Sequence, residues 1–346
     1  MSTSSAAYPT LIDVARRLDP NGSIAKIAEI LQQYNDMLED IPWIEGNLPT
    51  GNVSTVRTSK PVPTYRLLNQ GVVPSKSTAG QITDTCAMIE NRSHVDVNLA
   101  NLGGNAAAFR ASEDRGIIEG LSDSLADTLI NGDVSVSPEK FNGLNTRYFS
   151  LGSTYTTSSQ MIDGGGTSTD NTSIWLVCWG TENCFGIYPK GQKAGLQHTD
   201  EGIQHVLTDA TTLAYMKAYV SWFQWLAGLV IRDYRYVVRI CNIDVSNLLT
   251  ASDGTDTSAN ILKLMSMAYD KIPPGAMMGR PVFYMNETVR SMLRVKLLDK
   301  GNMCLSFKDV MGSGMIARKE LRFYDIPCRR MDTISNTEAR ITTATV

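Results

Sequence analysis

A chain of 346 residues with 42% hydrophobic content can bury one large core or two modest ones. Its 32 basic and 35 acidic residues give a net charge of -3 and are interspersed, which argues against a dedicated nucleic-acid-binding protein because phosphate recognition needs clustered Lys and Arg. The N-terminus lacks the pattern of a signal peptide, and no apolar run is long enough to cross a bilayer, so neither export nor membrane insertion is expected.

Residues 1–45 are predicted to form an N-terminal helical arm. Two amphipathic segments lie between residues 10 and 45, and the second follows a turn at residues 20–23. Its apolar residues recur at helical spacing and are Ile24, Ile27, Leu31, Tyr34 and Leu38.

Residues 46–85 form a polar stretch that Pro and Gly interrupt repeatedly. Two pieces, TVRTSK at 55–60 and TYRLLN at 64–69, look like strand fragments, so the pattern predicts a long projecting hairpin. The alternative is a flexible linker. An unstructured loop of this length is rare inside a compact domain, so we expect contacts on a neighbouring subunit to order it.

Residues 105–131 are predicted to form a long amphipathic helix. Asn105 can cap its first turn, and Asn131 with Gly132 supplies a left-handed stop. Gly116 and Gly120 weaken the helix, so packing must support it. Its apolar stripe consists of Ile117, Leu121, Leu125 and Leu129.

The region that follows mixes loop and strand signals. Residues 152–172 are rich in Gly, Ser, Thr and Asp and predict a mobile surface loop, whereas the apolar run 173–179 predicts a strand. Residues 229–241 alternate and predict one long strand with a buried face and a charged face. The buried face comprises Val230, Tyr234, Tyr236, Val238 and Ile240, and the charged face comprises Asp233, Arg235 and Arg239.

The C-terminal third begins with a strand at residues 282–285 that leads into a helix capped by Asn286. A second strand at residues 321–324 is followed by an interruption at Pro327 and another extended piece. The Thr-rich tail should fray or dock on a partner.

Six cysteines are scattered without a C-x-x-C pair, which predicts reduced thiols, several of them buried, rather than a zinc site. Sequence motifs for a serine nucleophile, a phosphate loop or a dinucleotide site are absent. No cofactor and no catalytic residue is expected. The best catalytic alternative is a metal-dependent hydrolase using His198, Glu201 and His205, which would share one face of a helix.

The aromatic residues Trp222, Phe223 and Trp225 could stack on a base or a sugar. Apolar residues surround them in the sequence. A role in the hydrophobic core is therefore the favoured interpretation.

Taken in order, these segments resemble the coat proteins of tailed bacteriophages with the Hong Kong 97-type fold. The resemblance covers nearly the whole chain and rests on RTSKPVPTYRLLNQGV, the long helix ending LINGD, SIWLVCWGTENCFGIYPKGQKAGL, FQWLAGLVIRDYRYVVRICNID, GRPVFYMNETV and FYDIPCRRMDTISNTEA. It implies an α+β fold with an N-terminal arm at 1–45 and an extended loop at 46–85.

The resemblance further implies a mainly peripheral domain at 86–245, which holds the spine helix at 105–131 and the long strand at 229–241. A mainly axial domain follows at 246–346, with strands at 282–285 and 321–324. In this assignment peripheral strands precede axial ones, the reverse of the family's order, so a rewired topology is one alternative.

The resemblance implies a structural protein that self-assembles into pentamers and hexamers, and so into an icosahedral shell, or procapsid, around double-stranded DNA without reading its sequence. Partners implied are a separate scaffolding protein, a portal and a decoration protein, with assembly in the host cytoplasm, residence in the virion and no membrane contact. A tail component is the other structural alternative. Gly103–Gly104 and Gly132–Asp133 are candidate hinges.

Predicted contacts between subunits involve the extended loop and the charged strand face, namely Arg57, Lys60, Tyr65, Arg66, Lys76, Asp233, Arg235 and Arg239. Some relatives join a loop lysine to an asparagine of a neighbour. Lys60 and Lys76 lie in the corresponding segment, but no partner asparagine can be identified, so cross-linking is not predicted.

Overall fold

The computed structural model describes most of the chain. The described residues are 9, 33, 35–102, 105–209, 213–250, 260–273, 279–297, 304–311 and 317–343. Most of the predicted N-terminal arm lies outside these ranges, as does the predicted hinge at Gly103–Gly104.

The described residues contain both helices and long strands, which confirms the predicted α+β class. The helices are α1 (Met37–Asp40), α2 (Val97–Asn101), α3 (Ala106–Asn131), α4 (Leu144–Arg147), α5 (Val245–Thr250), α6 (Ile261–Lys271) and α7 (Glu287–Leu297), with 3-10 turns at Thr156–Gln160 and Tyr234–Tyr236. The strands are β1 (Trp43–Glu45), β2 (Gly51–Ser59), β3 (Thr78–Asp96), β4 (Met161–Asp163), β5 (Asn171–Trp179), β6 (Cys184–Tyr188), β7 (Leu196–Asp209), β8 (Ala214–Ile231), β9 (Val237–Asp244), β10 (Arg280–Met285), β11 (Leu305–Met311), β12 (Ala317–Phe323) and β13 (Ile326–Arg330). Among the described helices, none has the length and apolarity needed to cross a membrane.

The chain divides into two compact units. Unit 1 comprises Met1–Gln33, Met88–Leu125 and Lys193–Ala227, and unit 2 comprises Tyr34–Ala87, Ala126–Gln192 and Gly228–Val346. The domain boundary predicted at 245/246 falls inside unit 2.

Unit 1 is built on the antiparallel hairpin of β7 and β8, which pair from Leu196↔Trp225 to Asp209↔Ala214. Val95, Ala100 and Phe109 form a small apolar cluster that joins the end of β3 to α2 and α3. Arg110 of α3 is held against the hairpin: it forms an ion pair with Asp200 at 2.8 Å, donates to Ser221 at 3.1 Å and lies 4.8 Å from the ring centre of Tyr219.

Unit 2 is built around β5, whose residues are all buried. One of its edges pairs with β9 and the other with β10, both antiparallel, and the sheet continues from β10 through β13 and β12 to β11. β6 pairs in parallel with β1 and antiparallel with the last residues of β8. The strand predicted at 173–179 is therefore confirmed as the centre of the fold.

Helices α6 and α7 pack their apolar sides on this sheet and build its main core. Asn286 caps α7 as predicted, since its Oδ1 accepts the backbone N–H of Thr288 at 3.0 Å. Asn260 caps α6 in the same way through Lys263. The largest members of this core include Phe283, Phe323, Met265, Met285 and Leu293.

The long helix is confirmed as α3, one residue inside the predicted range at its start. Asn105 accepts the backbone N–H of Ala108 at 3.1 Å and so caps the first turn as predicted. Leu121, Leu125 and Leu129 of the stripe are buried.

Gly132 follows the last residue of α3. It does not adopt the predicted left-handed conformation, because its φ angle is not positive. Glycine is required at this position because the surrounding backbone leaves no room for a Cβ atom. A Cβ there would lie 2.3 Å from the carbonyl oxygen of Phe141 and 2.5 Å from that of Thr128. Gly132 N–H also donates to Thr128, and its carbonyl accepts from Gly143 and Thr146. These contacts on both sides argue against the predicted hinge at this position.

The predicted strand at 229–241 is wrong as a continuous element. β8 ends at Ile231, a 3-10 turn follows at Tyr234–Tyr236, and β9 begins at Val237. Asp233 causes the break, because its carboxylate accepts the backbone N–H of Arg235 at 3.0 Å and binds the guanidinium of the same residue at 2.6 Å. β9 is then buried on both faces, so Arg239 does not share an exposed face with Asp233 and Arg235.

Two predictions about the C-terminal segment are corrected. The chain reverses at Tyr324 and Asp325, whose φ angles are 46° and 64°, so the interruption does not occur at Pro327, which pairs with Arg322 inside β13. The tail, up to residue 343, packs on its own subunit. Glu338 forms a bridge with Asn171, and Ile341 exchanges hydrogen bonds with the side chain of Asn242 at 2.8 and 2.9 Å.

The surface loop predicted at 152–172 is wrong in part, because it contains the strand β4, which pairs in parallel with β9. Ser158, Gln160 and Ile162 within it are buried. The six cysteines are free, and Cys178, Cys184, Cys241 and Cys328 are buried, as expected. Burial raises the pKa of Cys241 and Cys328 to about 12, so these thiols stay protonated and unreactive at neutral pH.

Candidate assembly surface

The predicted projecting hairpin is present. β2 pairs antiparallel with the first part of β3, from Gly51↔Thr85 to Ser59↔Thr78. The fragment TVRTSK belongs to β2 as far as Ser59, but TYRLLN is not a strand: residues 60–77 connect β2 to β3 without regular secondary structure. We call residues 60–77 the hairpin apex.

The apex is a formed loop. Asn69 has a left-handed φ of 68°, and the turn around it is closed by Gln70 N–H donating to Leu67 at 3.2 Å. Arg66 donates to the carbonyl of Gln70 at 3.1 Å, and Ser75 donates to Val62 across the loop at 3.2 Å. These bonds favour the hairpin over a flexible linker.

Every residue of the apex is exposed in the isolated subunit, including six large apolar side chains. Tyr65 and Leu68 are almost completely exposed. The others are Val62, Leu67, Val72 and Val73. A group of large apolar side chains that its own subunit leaves uncovered is typical of an interaction surface.

The base of the hairpin is held by a partly buried ion pair. Arg147 of α4 binds Asp84 of β3 at 2.7 Å, and the same guanidinium donates to the carbonyls of Leu229 and Asn142 at 3.1 and 3.2 Å. Close backbone packing adds to it, since a Cβ on Gly51 would lie 2.0 Å from the carbonyl oxygen of Asp84. These contacts therefore hold the base of the hairpin in place on unit 2.

Burial raises the pKa of Asp84 above its ordinary value of 3.8, and the charge and hydrogen bond of Arg147 offset only part of that effect. Between the ordinary and the raised pKa the folded subunit binds more protons than the unfolded chain, so the free energy of unfolding falls as pH rises through that window. We expect Asp84→Asn to remove this fall, measured by urea unfolding at a series of pH values.

Asp133→Asn is the control for this titration, because hydrogen bonds from Ser135 lower the pKa of the exposed Asp133 carboxyl. A lowered pKa stabilises the folded state above the ordinary value and loses that effect as pH falls, so this variant should change the profile in the opposite sense. A wild-type and an Asp84→Asn profile with the same slope would contradict the assignment.

The structure brings five of the predicted contact residues together on the hairpin: Arg57, Lys60, Tyr65, Arg66 and Lys76, all exposed. Asp233 and Arg235 pair with each other in the turn between β8 and β9. Their role in contacts between subunits stays a prediction.

Arg239 lies elsewhere and is only 4% exposed. Its guanidinium binds Glu338 at 3.0 Å, donates to Tyr148 at 2.8 Å and to Ser173 at 3.2 Å, and lies 4.8 Å from the ring centre of Trp175. Arg239 thus fastens the C-terminal tail to the central sheet. A contact of this side chain with a second subunit stays a prediction that its burial does not favour.

A second buried polar group was also missed from the sequence. Tyr284 accepts a hydrogen bond from Trp179 and donates one to Asp40, both at 2.7 Å, and Arg329 lies 3.1 Å from the same carboxylate. This group fixes the chain where it enters unit 2. No local signal could have found it, because Asp40 and Tyr284 are 244 residues apart.

In its described residues the structure does not contain the helix on which the metal-site alternative depended. His198, Glu201 and His205 lie on the strand β7, not on a helix, and the ring of His198 stacks on Phe223 at 4.7 Å. Within the described ranges no group of three or more His, Cys, Asp or Glu could hold a metal ion. Phe223 is buried, as the core interpretation predicted, while Trp222 and Trp225 are partly buried.

Comparisons with known proteins agree with this architecture. The family model for major capsid protein GP7 matches residues 19–342. A chain in the near-atomic-resolution structure of bacteriophage epsilon15 is 33% identical, with 99% of both chains covered and a TM-score of 0.76. A chain of the bacteriophage JBD30 capsid is 12% identical over 91% of this chain and 93% of that one, with a TM-score of 0.45. No curated protein matches the sequence.

The fold therefore defines a bacteriophage coat subunit of the Hong Kong 97-like type, a structural component of the virion shell. The chain belongs to the family of major capsid protein GP7. A shell contains many copies of its subunit, so the protein is a homo-oligomer in the virion. Capsid proteins of this family and fold are in general not enzymes.

Proposed function

We propose that the protein assembles into pentamers and hexamers, which close an icosahedral head around double-stranded DNA. The observation that carries this proposal is the clamped hairpin with an exposed apolar apex. Burying a Leu-sized side chain contributes roughly 1.5–3 kcal/mol, so several apex residues covered by each neighbour would hold a ring of subunits together. Head-to-tail contacts of this kind generate closed rings when the rotation between successive subunits closes the circle.

In this proposal the hairpin is the extended loop, and unit 1, with its β7–β8 hairpin and much of α3, is the peripheral domain. The axial domain lies within unit 2. Assembly takes place in the host cytoplasm with a separate scaffolding protein and a portal, and a decoration protein binds outside. The DNA is enclosed without sequence-specific contacts, consistent with the interspersed charges.

Electron microscopy of the purified protein tests the proposal. We expect capsomers, closed particles or aberrant polyheads, alone or with the scaffolding protein added. Tubes or stacked rings would instead support a tail component. A protein that remains monomeric across salt, pH and crowding conditions would contradict assembly.

Replacing the two most exposed apex residues together, Tyr65→Ser and Leu68→Ser, should abolish or strongly reduce particle formation, measured by light scattering and sedimentation. The stability of the unassembled subunit should change by less than about 0.5 kcal/mol, because surface substitutions away from packed features have little effect. Val136→Ser is the matched control, since Val136 is a similarly exposed apolar residue outside the hairpin. Normal particle yield from the double variant would argue against the apex as an interface.

A further inference from the structure

Unit 2 contains a cleft at the end of α6. Its volume is about 540 Å³, and it is formed where α6 meets the turn between β12 and β13 and the start of β10. A cleft of this size is in the range of sites that bind small molecules. Its apolar wall consists of Cys178, Ile272, Pro273, Pro281 and Ile326.

Two tyrosines line the cleft from different elements. Tyr269 belongs to α6 and Tyr324 to the turn between β12 and β13, and their ring centres are 5.7 Å apart at an angle of 60°. Both rings are exposed. Because the face of a tyrosine ring attracts cations and its carbon atoms pack on methylene groups, this pair suits a ligand that is both apolar and cationic.

Each tyrosine is followed in the sequence by an aspartate that also lines the cleft. These aspartates, Asp270 and Asp325, are exposed. No described cation forms an ion pair with either carboxylate. The C-terminal end of α6 adds a partial negative charge beside Asp270. The cleft is therefore complementary to a positive charge.

The cations nearest to the cleft in the sequence bind other partners. The ammonium group of Lys271 donates to backbone carbonyls of the first 3-10 turn and of β4. The guanidinium of Arg322 pairs with Glu320 at 2.8 Å and contacts Asp325 through its backbone carbonyl at 2.9 Å. The guanidinium of Arg280 donates to a carbonyl at the end of α1 at 3.1 Å. The subunit thus uses these cations elsewhere.

The turn that carries Tyr324 and Asp325 has an unfavourable backbone. Both residues are left-handed, with φ angles of 46° and 64°. Two-residue hairpin turns of this kind usually contain Asn-Gly or Asp-Gly, because a side chain with a bulky Cβ substituent is disfavoured there. Residues in such conformations are concentrated at ligand sites. A contact with a ligand would account for a tyrosine in this position.

We propose that the cleft binds a linear diamine, a methylene chain with an ammonium group at each end. The chain packs on the tyrosine rings and the apolar wall, and the two ammonium groups pair with Asp270 and Asp325. A metal ion fits less well, because no group of three or more His, Cys, Asp or Glu within the described ranges could hold one. The inference concerns the individual subunit and does not depend on the proposed assembly.

Isothermal titration calorimetry of the unassembled subunit with cadaverine in low salt tests the proposal. We expect one molecule bound per subunit, and at least tenfold weaker binding to Asp270→Asn/Asp325→Asn. Asparagine keeps the size of both side chains and tolerates a left-handed φ. The control Glu139→Gln/Glu182→Gln removes the same charge at exposed positions outside the cleft and should bind within twofold of the wild-type protein.

No measurable binding to the wild-type protein would overturn the proposal. Equal affinities of the two double variants would overturn it as well, because the net charge would then determine binding.

Related ligands separate a diamine from its alternatives. Pentylamine has one ammonium group and should bind at least fivefold more weakly than cadaverine, and 1,5-pentanediol should not bind measurably. Magnesium chloride should displace cadaverine no better than sodium chloride at the same ionic strength. Pentylamine that bound as tightly as cadaverine would indicate a site for a single ammonium group, such as a lysine side chain of another protein. That result, or specific displacement by magnesium, would overturn the diamine assignment.

Tyr324→Asn separates a role in binding from a role in the fold. Asparagine adopts the left-handed conformation more readily than tyrosine, so the melting temperature should not fall. The affinity for cadaverine should fall at least threefold, because one ring of the pair is lost. Unchanged affinity would show that Tyr324 does not contact the ligand as proposed.

Carbodiimide coupling shows where the ligand binds. Activation of the protein in dilute cadaverine joins a bound amine to the adjacent carboxylate through an amide bond, with loss of water to the carbodiimide. Mass spectrometry of peptides should find Asp270 and Asp325 modified at least fivefold more than Glu139 and Glu182. Uniform modification of these four residues would overturn the proposal.

Discussion

Replacing Arg239 with leucine should lower the free energy of unfolding of the unassembled subunit by about 3–5 kcal/mol, because it leaves a buried partner charge uncompensated. Glu338 would keep the hydrogen bond from the hydroxyl of Ser173, and the carbonyl of Tyr148 would lose the hydrogen bond from Arg239. Urea unfolding followed by tryptophan fluorescence measures the loss, since Trp175 lies against the guanidinium.

Arg235→Leu is the matched control, because Arg235 also pairs with a carboxylate, that of Asp233, but its side chain is 53% exposed. Its loss should stay below about 1 kcal/mol. In the double variant Arg239→Leu/Glu338→Leu the loss should be smaller than the sum of the two single losses, since no unpaired charge remains. Equal losses for Arg239→Leu and Arg235→Leu would show that burial of the Arg239–Glu338 pair does not increase the cost of breaking it.

Replacing Gly132 with alanine should lower the free energy of unfolding by about 2–3 kcal/mol, because the new methyl group would overlap atoms that cannot move independently. The nearest atoms are two backbone carbonyl oxygens, that of Thr128 in the last turn of α3 and that of Phe141 in the segment between α3 and α4. Thermal and urea unfolding of the unassembled subunit measure the effect.

Gly116→Ala serves as the comparison within the same helix. A methyl group there meets nothing within 4 Å, so the substitution should raise the free energy of unfolding by about 0.5–1 kcal/mol. If Gly132→Ala were as well tolerated as Gly116→Ala, the tight packing at the helix end would not determine stability.

The parts of the fold that local chemistry dictates were predictable from the sequence. The cap at Asn105, the apolar stripe of α3, the apolar strand β5 and the cap at Asn286 each depend on residues within a few positions of one another. The hairpin was predictable in part, because TVRTSK supplies much of its first strand, but its second strand is β3 and not the predicted TYRLLN.

The errors arose where a side chain competes with the backbone or where distant residues meet. Alternation at 229–241 suggested one strand, but Asp233 binds the backbone of Arg235 and turns the chain. The pairs Arg147–Asp84 and Arg239–Glu338 join residues that are 63 and 99 positions apart, so no periodicity in the sequence predicts them. Arg239 therefore looked like an exposed charge until its partner was known.

The attachment of the tail has a consequence for synthesis on the ribosome. The partner of Arg239 is translated 99 residues later, so a nascent chain that stops short of Glu338 contains a desolvated cation at the heart of its central sheet. Prematurely terminated chains would be unstable and open to proteolysis. They would be degraded before they could be incorporated into a growing shell. The order in which Arg239 and Glu338 are translated thus makes the stability of the subunit depend on complete synthesis of the chain as far as Glu338.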